Sequence, residues 1–253
     1  MALAMLNNDS TDGDGNEAQI TVLVTGFGPF QDLFPVNPSY EITKGLPRLL
    51  PKTTDGSKSV RIIGLASPIR VAYSESRKLV PALLDSYDGA INIVLHIGMA
   101  SGRKFYAAEH YAHREGYSAH KDLDGEVPSP DEADTVYGDC PSLMSTSLDF
   151  DELMKLWKTN ISKLPDESVG AGADCRLSED AGNFLCDYTY FNSLAWFGRR
   201  NKRMEGGKAS DRPVMFLHVP AEVERIPQGK EVAIALIRAL VDCYTKVEGP
   251  AEM

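Results

Sequence analysis

Cysteine is scarce in this chain: four residues among 253, with no pair at CxxC spacing. This excludes a small disulfide-rich scaffold, and a chain of this length does not need one. No stretch reaches the roughly 18 consecutive apolar residues of a membrane span. The first residues have neither a basic start nor an apolar run of signal-peptide length. We therefore expect a cytoplasmic protein that does not act at a membrane.

Positive charge is also limited, because 26 Lys and Arg face 36 Asp and Glu, a formal net charge of −10. The densest basic stretch is RRNKR at 199–203, which we interpret as a solvated loop. This balance disfavours nucleic acid as a partner. With 43% hydrophobic residues, the chain can form one sizeable core. We expect residues 1–18, which are polar, to be a disordered tail and 19–253 to be a single domain.

Strands and helices alternate in the hydrophobic pattern. Apolar or β-branched runs predict strands at 19–25, 59–66, 91–100, 173–180 and 212–220. Helical spacing predicts helices at 71–85, 151–164 and 229–247, with another starting at Asn37-Pro38. The alternation predicts an α/β fold with a mostly parallel twisted sheet and helices on both faces. Residues 102–117 are expected to form an arm or hairpin, and 118–150 a surface insertion.

A cysteine lies near the predicted start of a helix in SEDAGNFLCDYTYFNSLAWFG (178–198). Asp180 or Asn183 is expected to cap this helix, which places Cys186 in or beside its first turn. There the helix dipole and free N–H groups favour negative charge, so we expect a lowered thiol pKa and a place for an oxyanion. The alternative is a buried structural thiol.

A cysteine nucleophile needs a base, and His218 in PVMFLHVP (213–220) is the candidate. Glu109, in FYAAEHYAH (105–113), is the candidate for orienting its imidazole. The alternatives are a core histidine and a surface glutamate. In open α/β sheets ligands bind beyond the carboxyl ends of the strands, where His218 and the cysteine loop are both predicted to lie.

Metal and nucleotide sites are not expected. The three histidines His110, His113 and His120 are close in sequence but lack the helical HExxH order of a zinc site. The loop GFGPF (26–30) lacks the third glycine of a dinucleotide-binding loop. Its Phe27 and Phe30 instead suggest an aromatic wall for a flat, uncharged ligand, with ordinary core packing as the alternative.

Together these segments resemble the pyroglutamyl peptidase I family, also called pyrrolidone-carboxylate peptidase. The resemblance spans roughly residues 20–248 and depends on TGFGPF (25–30), NPS (37–39), GRKFYAAEHYAH (102–113), SEDAGNFLCDYTYFNSL (178–194) and FLHVP (216–220). The cysteine segment is the most specific and is most similar to eukaryotic members. The resemblance implies a three-layer α/β/α sandwich and a cytosolic cysteine peptidase without metal or cofactor.

By position, the resemblance implies that Cys186 is the nucleophile, His218 the general base and Glu109 the acid that orients the histidine. The residues it implies around the substrate are Phe27, Phe30, Phe184 and Asn37. The expected partner is a peptide with an N-terminal pyroglutamate, which would be released through a thioester. The alternatives are a non-catalytic relative that binds such peptides and a small-molecule transferase on a similar fold. The oligomeric state, monomer or homo-oligomer, is left open.

The chain departs from the bacterial pattern in three respects. Met99 stands where bacterial members have glutamine. The arginine that many of them have beyond the acid has no clear counterpart, and Lys121 is only a positional match. The segments 118–150 and 199–212 exceed the compact bacterial form.

Overall fold

A computed structural model describes residues 19–30, 34–53 and 58–246. The tail expected at 1–18 lies outside these residues. The strands are β1 (Ile20–Gly26), β2 (Leu49–Leu50), β3 (Val60–Gly64), β4 (Ile93–Met99), β5 (Tyr106–Glu109), β6 (Tyr111–His113), β7 (Leu143–Ser145), β8 (Cys175–Ser178) and β9 (Val214–Val219). The helices are α1 (Pro38–Lys44), α2 (Tyr73–Ser86), α3 (Glu132–Thr135), α4 (Phe150–Ser162), α5 (Leu185–Arg200) and α6 (Ile226–Thr245).

Seven of the strands form one sheet in the order β2-β3-β1-β4-β9-β5-β8. Strands β3, β1, β4 and β9 run parallel, whereas β2 is antiparallel to β3 and β5 is antiparallel to β9. Strands β6 and β7 form a separate antiparallel pair. The predicted mostly parallel sheet is thus confirmed, and the reversed strand β5 is its main exception.

Helices cover both faces of the sheet. Side chains of β1 alternate between the two cores: Val22 and Val24 face the layer of α1, α4 and α6, and Leu23 faces the layer of α2 and α5. Trp157 of α4 is fully buried and donates its indole N–H to the Val232 carbonyl of α6 at 3.2 Å. The three-layer α/β/α architecture is therefore confirmed. Among the helices of the described residues, none has the length and apolar composition that a membrane crossing requires.

Most predicted elements lie within a few residues of their expected positions. The cap of α1 is as predicted, since the Asn37 side chain accepts from the Ser39 N–H and Pro38 is the first helical residue. Helix α2 continues through Pro81. The segment 102–117 contributes β5 to the main sheet, and 118–150 contains α3 and β7. It buries Tyr137 and Met144 against the core, while most of its residues are exposed, as expected of a surface insertion.

His96 on β4 links two other buried polar side chains in the core. Its Nδ1 lies 2.7 Å from the Thr25 hydroxyl of β1, and its Nε2 lies 2.7 Å from the Ser193 hydroxyl of α5. Both ring nitrogens are therefore satisfied by groups that can donate or accept. Burial lowers the pKa of His96 to about 3, so the ring is neutral at physiological pH.

Replacing His96 with Gln should flatten the dependence of folding stability on pH. The unfolded chain protonates this histidine near its ordinary pKa of 6.5, whereas the folded protein resists protonation down to about pH 3. Wild type should therefore lose stability as the pH falls through this window, by up to ~1.4 kcal/mol per pH unit from this group. Urea unfolding at about pH 7 and about pH 5 measures the difference.

The exposed His120, changed to Gln, is the matched control and should retain the wild-type dependence. The His96 variant should also be less stable near neutral pH, because Thr25 and Ser193 lose their shared partner. An unchanged pH slope in the His96 variant would contradict the assignment of a neutral buried imidazole.

Candidate active site

Strand register brings the predicted acid and base to one face of the sheet. Gly98 of β4 pairs with His218 of β9, and Glu109 of β5 pairs with Phe216. Paired residues share a face, and so do residues two apart on one strand. Glu109 and His218 therefore point together toward the layer that contains α5. Without the reversed direction of β5 this pairing would not occur.

Glu109 and His218 are in direct contact. The Oε1 atom of Glu109 lies 2.7 Å from Nδ1 of His218, and the two residues are 0% and 4% exposed. A carboxylate partner fixes the proton on Nδ1 and leaves Nε2 as the free basic nitrogen. The imidazole also packs against Phe216, with ring centroids 4.9 Å apart. The ring is thus oriented from two sides.

Cys186 is the second residue of α5 and lies against the same strands. A Cβ atom built on Gly98 would be only 2.9 Å from its Sγ, so the thiol occupies space that this glycine leaves open. Gly98 is also the register partner of His218, which places the thiol over the predicted base. The sheet therefore brings Cys186, His218 and Glu109 to one location.

The expected caps of α5 are wrong. The N-cap residue is Phe184, whose side chain makes no capping hydrogen bond. Asp180 instead accepts from the Gly182 N–H at 2.8 Å, within a turn where Gly182 has a positive φ of 89°. The first-turn N–H groups of α5 are consequently available to a negative group beside Cys186.

The thiol pKa differs from the expectation. Burial raises the pKa of Cys186 to about 12, and the carboxylates of Glu109 and Asp187 also raise it, whereas Arg103 lowers it. The prediction of a lowered pKa is therefore wrong, because desolvation and two nearby acids outweigh the helix terminus. Asp187 is itself fully buried, and burial raises its pKa to about 6.

The aromatic residues predicted around the substrate separate into two groups. Phe30 and Phe184 contact each other, with ring centroids 5.7 Å apart, and both are partly buried. Phe184 is two residues before Cys186. Phe184 also meets Tyr73 edge-on at 5.8 Å. Phe27 is only 3% exposed and packs against Phe216 at 6.3 Å. Phe27 thus belongs to the core beneath the site, and Phe30 and Phe184 form its surface.

Asn37 supports the loop that contains Phe30. Its Nδ2 donates to the Gly28 carbonyl at 2.9 Å, and its Oδ1 accepts from the Ser39 N–H at 3.1 Å and the Ser39 hydroxyl at 2.8 Å. The Ser39 hydroxyl in turn accepts from the Phe27 N–H at 3.0 Å. Both polar atoms of Asn37 therefore bind the protein itself and fix the GFGPF loop.

The three neighbouring histidines have separate surroundings. His110 stacks on Phe150 at 4.2 Å, and the His113 Nδ1 is 3.4 Å from Asp187. His120 lies edge-on to Phe184 at 6.0 Å. In the part of the chain that the structure describes, no three His, Cys, Asp or Glu side chains are grouped as metal ligands.

Two charged residues at the site are absent from those predicted above. Arg103 donates from Nη1 to Glu109 Oε1 at 2.5 Å, whereas Lys121, the positional match for an arginine, is exposed. Asp187 accepts from the Tyr117 hydroxyl at 2.6 Å and the His113 N–H at 3.0 Å. The sequence signal for Arg103 is its place in GRK, just before the strand that contains Glu109.

The chain is similar to known proteins in both sequence and fold. The profile of the pyroglutamyl peptidase family matches residues 20–234. Pyroglutamyl-peptidase 1 of Homo sapiens is 30% identical over 230 residues, which are 90% of this chain and 93% of that protein. Pyrrolidone-carboxylate peptidase of Thermosipho africanus is 24% identical over 211 residues, covering 83% and 86%.

Among solved structures, the pyrrolidone carboxyl peptidase from Thermococcus litoralis superposes with a TM-score of 0.69 at 18% identity, covering 92% of this chain and 99% of that one. At this identity the superposition establishes the fold. The family itself is established by the profile match over most of the chain and by the human relative at 30% identity. The chain belongs to the pyroglutamyl peptidase family and is a cysteine peptidase.

Proposed function

We propose that this enzyme removes an N-terminal pyroglutamyl residue from peptides, with Cys186 as nucleophile, His218 as general base and Glu109 as the acid that orients it. The observation that supports this most directly is the 2.7 Å contact between Glu109 and His218 on the sheet face that Cys186 covers. Relatives named pyroglutamyl-peptidase and pyrrolidone-carboxylate peptidase support the substrate class.

The reaction starts from a neutral thiol, because burial raises the pKa of Cys186. His218 Nε2 takes the thiol proton as Sγ attacks the pyroglutamyl carbonyl, and Glu109 stabilises the resulting imidazolium. The free N–H groups at the start of α5 stabilise the oxyanion. His218 then protonates the leaving amine, and water hydrolyses the thioester. The products are pyroglutamate and the shortened peptide.

Recognition of the pyroglutamyl group rests on apolar contact, because its lactam has no charge. A ring held between two aromatic side chains needs roughly 7 Å between them, twice the ~3.5 Å contact distance of carbon atoms. The centroids of Phe30 and Phe184 are only 5.7 Å apart, so these two rings must separate when the lactam enters. Phe27 serves as the floor beneath them. A charged N-terminal amine would be desolvated here and is rejected.

The cytoplasm is the proposed place of action. All four cysteines are free thiols, and a nucleophilic thiol persists in a reducing compartment. The proposed partners are therefore peptides with an N-terminal pyroglutamate that reach the cytoplasm.

Changing Cys186 to Ala should abolish hydrolysis of pyroglutamyl-aminomethylcoumarin. We expect a loss on the order of 10⁴-fold or more in kcat, because no other group at the site can form the thioester. Fluorophore release in reducing buffer with EDTA measures it. Cys140→Ala is the matched control, since Cys140 is a buried thiol away from Glu109 and His218.

Near-wild-type turnover in the Cys186 variant would reject the nucleophile. Binding of a pyroglutamyl analogue by wild type without turnover would instead favour the non-catalytic relative.

The alkylation rate of Cys186 in the free enzyme should rise with pH and show no plateau below about pH 9. A thiol whose pKa is raised by burial stays protonated at neutral pH, so little thiolate is available to iodoacetamide. Mass spectrometry of the Cys186 peptide follows the reaction, with N-acetylcysteine as the reference thiol. A fast, pH-independent rate near neutrality would indicate a preformed thiolate and contradict this resting state.

Changing Phe184 to Ala should raise KM for the pyroglutamyl substrate by about 10-fold or more, because one face of the lactam pocket is lost. Steady-state kinetics measures it. Trp196→Ala is the matched control, since this ring lies on the same helix but bonds to Asp85 at 2.8 Å, far along α5 from the thiol. An unchanged KM in the Phe184 variant would exclude this ring from substrate recognition.

A further inference from the structure

Arg103 joins the two halves of the site. Its Nη1 donates to Glu109 Oε1 at 2.5 Å, and its Nη2 donates to the Asp180 carbonyl at 3.0 Å. The first contact reaches the acid on β5, and the second reaches the loop that leads into α5 and Cys186. The guanidinium is 27% exposed and the carboxylate 0%, so the ion pair lies at the boundary between core and solvent.

The carboxylate of Glu109 is held through one of its two oxygens. Oε1 receives both the Arg103 guanidinium and His218 Nδ1, whereas Oε2 is buried without a hydrogen-bond partner among the described residues. A buried carboxylate without a charged partner is strongly destabilised. The permanent positive charge of arginine removes this penalty.

The loop contact fixes the position of the nucleophile. The Asp180 carbonyl accepts from Arg103 and from the Ser178 hydroxyl at 3.2 Å, while its carboxylate accepts from the Gly182 N–H. These bonds hold the turn that precedes α5. The positive charge of Arg103 also opposes the burial that raises the pKa of Cys186.

We propose that Arg103 is a positioning residue of this active site, which holds the Glu109 carboxylate in place beside His218 and holds the Asp180 turn at the start of the nucleophile helix. The inference rests on the proposed function and extends it to a fourth residue. The ionisable groups that face Glu109 are Arg103, His218 on β9, and Cys186 and Tyr190 on α5.

The test compares Arg103→Met with Arg103→Lys. Methionine keeps the apolar stem but removes the charge and both hydrogen bonds, whereas lysine keeps the charge and cannot bridge both acceptors. For methionine we expect kcat to fall by about 100-fold with KM within about 3-fold, because the lost interaction acts on the reacting groups. Because the lost group is a cation next to the reacting groups, the acidic limb of the kcat/KM profile should also move to higher pH.

Lysine should restore the acidic limb to its wild-type position and lower kcat by only several-fold, because the Asp180 contact is lost. The matched control is Arg176→Met, since Arg176 packs over Phe105 at 4.2 Å beside Arg103 but pairs with Asp174. It should behave as wild type. A merely structural role would lower stability in the methionine variant without moving its pH profile, and an unmoved profile overturns the proposal.

Alkylation of Cys186 by iodoacetamide separates this proposal from the proposed function, because it needs no peptide. Loss of the Arg103 charge should slow alkylation of Cys186 by several-fold at a fixed pH, and Arg176→Met should not. If wild type fails to cleave the pyroglutamyl substrate but alkylation shows this difference, the substrate class is wrong and Arg103 retains its role. If the methionine variant fails to fold, Arg103→Gln takes its place, because glutamine removes the charge but keeps a hydrogen-bond donor. Alkylation of Cys186 in that variant at the wild-type rate would overturn the proposal.

Discussion

The antiparallel pairing of β5 with β9 is the constraint on which the site depends. Glu109 pairs with Phe216, two residues before His218 on β9, because β5 runs antiparallel to β9. A parallel strand in this place would have a different register with β9. The reversed strand puts a carboxylate inside the sheet layer at 0% exposure. A charge at such a position requires partners, and both Arg103 and His218 contact its Oε1 atom. The contacts of Glu109 with Arg103 and His218 therefore depend on the direction of β5.

Two opposing effects act on the pKa of the Cys186 thiol at the start of α5. Free N–H groups at the start of α5 favour a thiolate, while burial and the acids Glu109 and Asp187 favour the thiol. Burial and the two acids have the larger effect, so the pKa of Cys186 is raised. In the proposed mechanism a neutral resting thiol requires a base, and the bond from Glu109 orients His218 for that role. The same mechanism assigns the N–H groups at the start of α5 to the oxyanion.

Local patterns in the sequence predict much of this structure, but they do not predict contacts between residues that are distant in sequence. The strands, the Asn37 cap and the mostly parallel sheet follow from apolar runs and turn residues, which depend on neighbours in sequence. The direction of β5 and the contact of Arg103 with Glu109 depend on tertiary packing, which periodicity does not encode. The lowered thiol pKa was expected from helix position alone, and it is wrong because the fold buries the thiol and brings Glu109 close to it. The cap at Phe184 is a similar case, because the Gly182 turn uses Asp180 instead.

Segment 118–150 and the residues just before it contact the surroundings of the candidate site. Asp187, next to Cys186, accepts from Tyr117 and from the His113 backbone, so the chain that leads into this segment is bound to α5. Further along, Asp122 accepts from the Tyr73 N–H at 2.8 Å, and Tyr73 in turn meets Phe184. Tyr73 is thereby bound to this segment, while the loop that contains Phe30 is bound to Asn37. The aromatic pair of Phe30 and Phe184 is therefore supported from two separate parts of the chain.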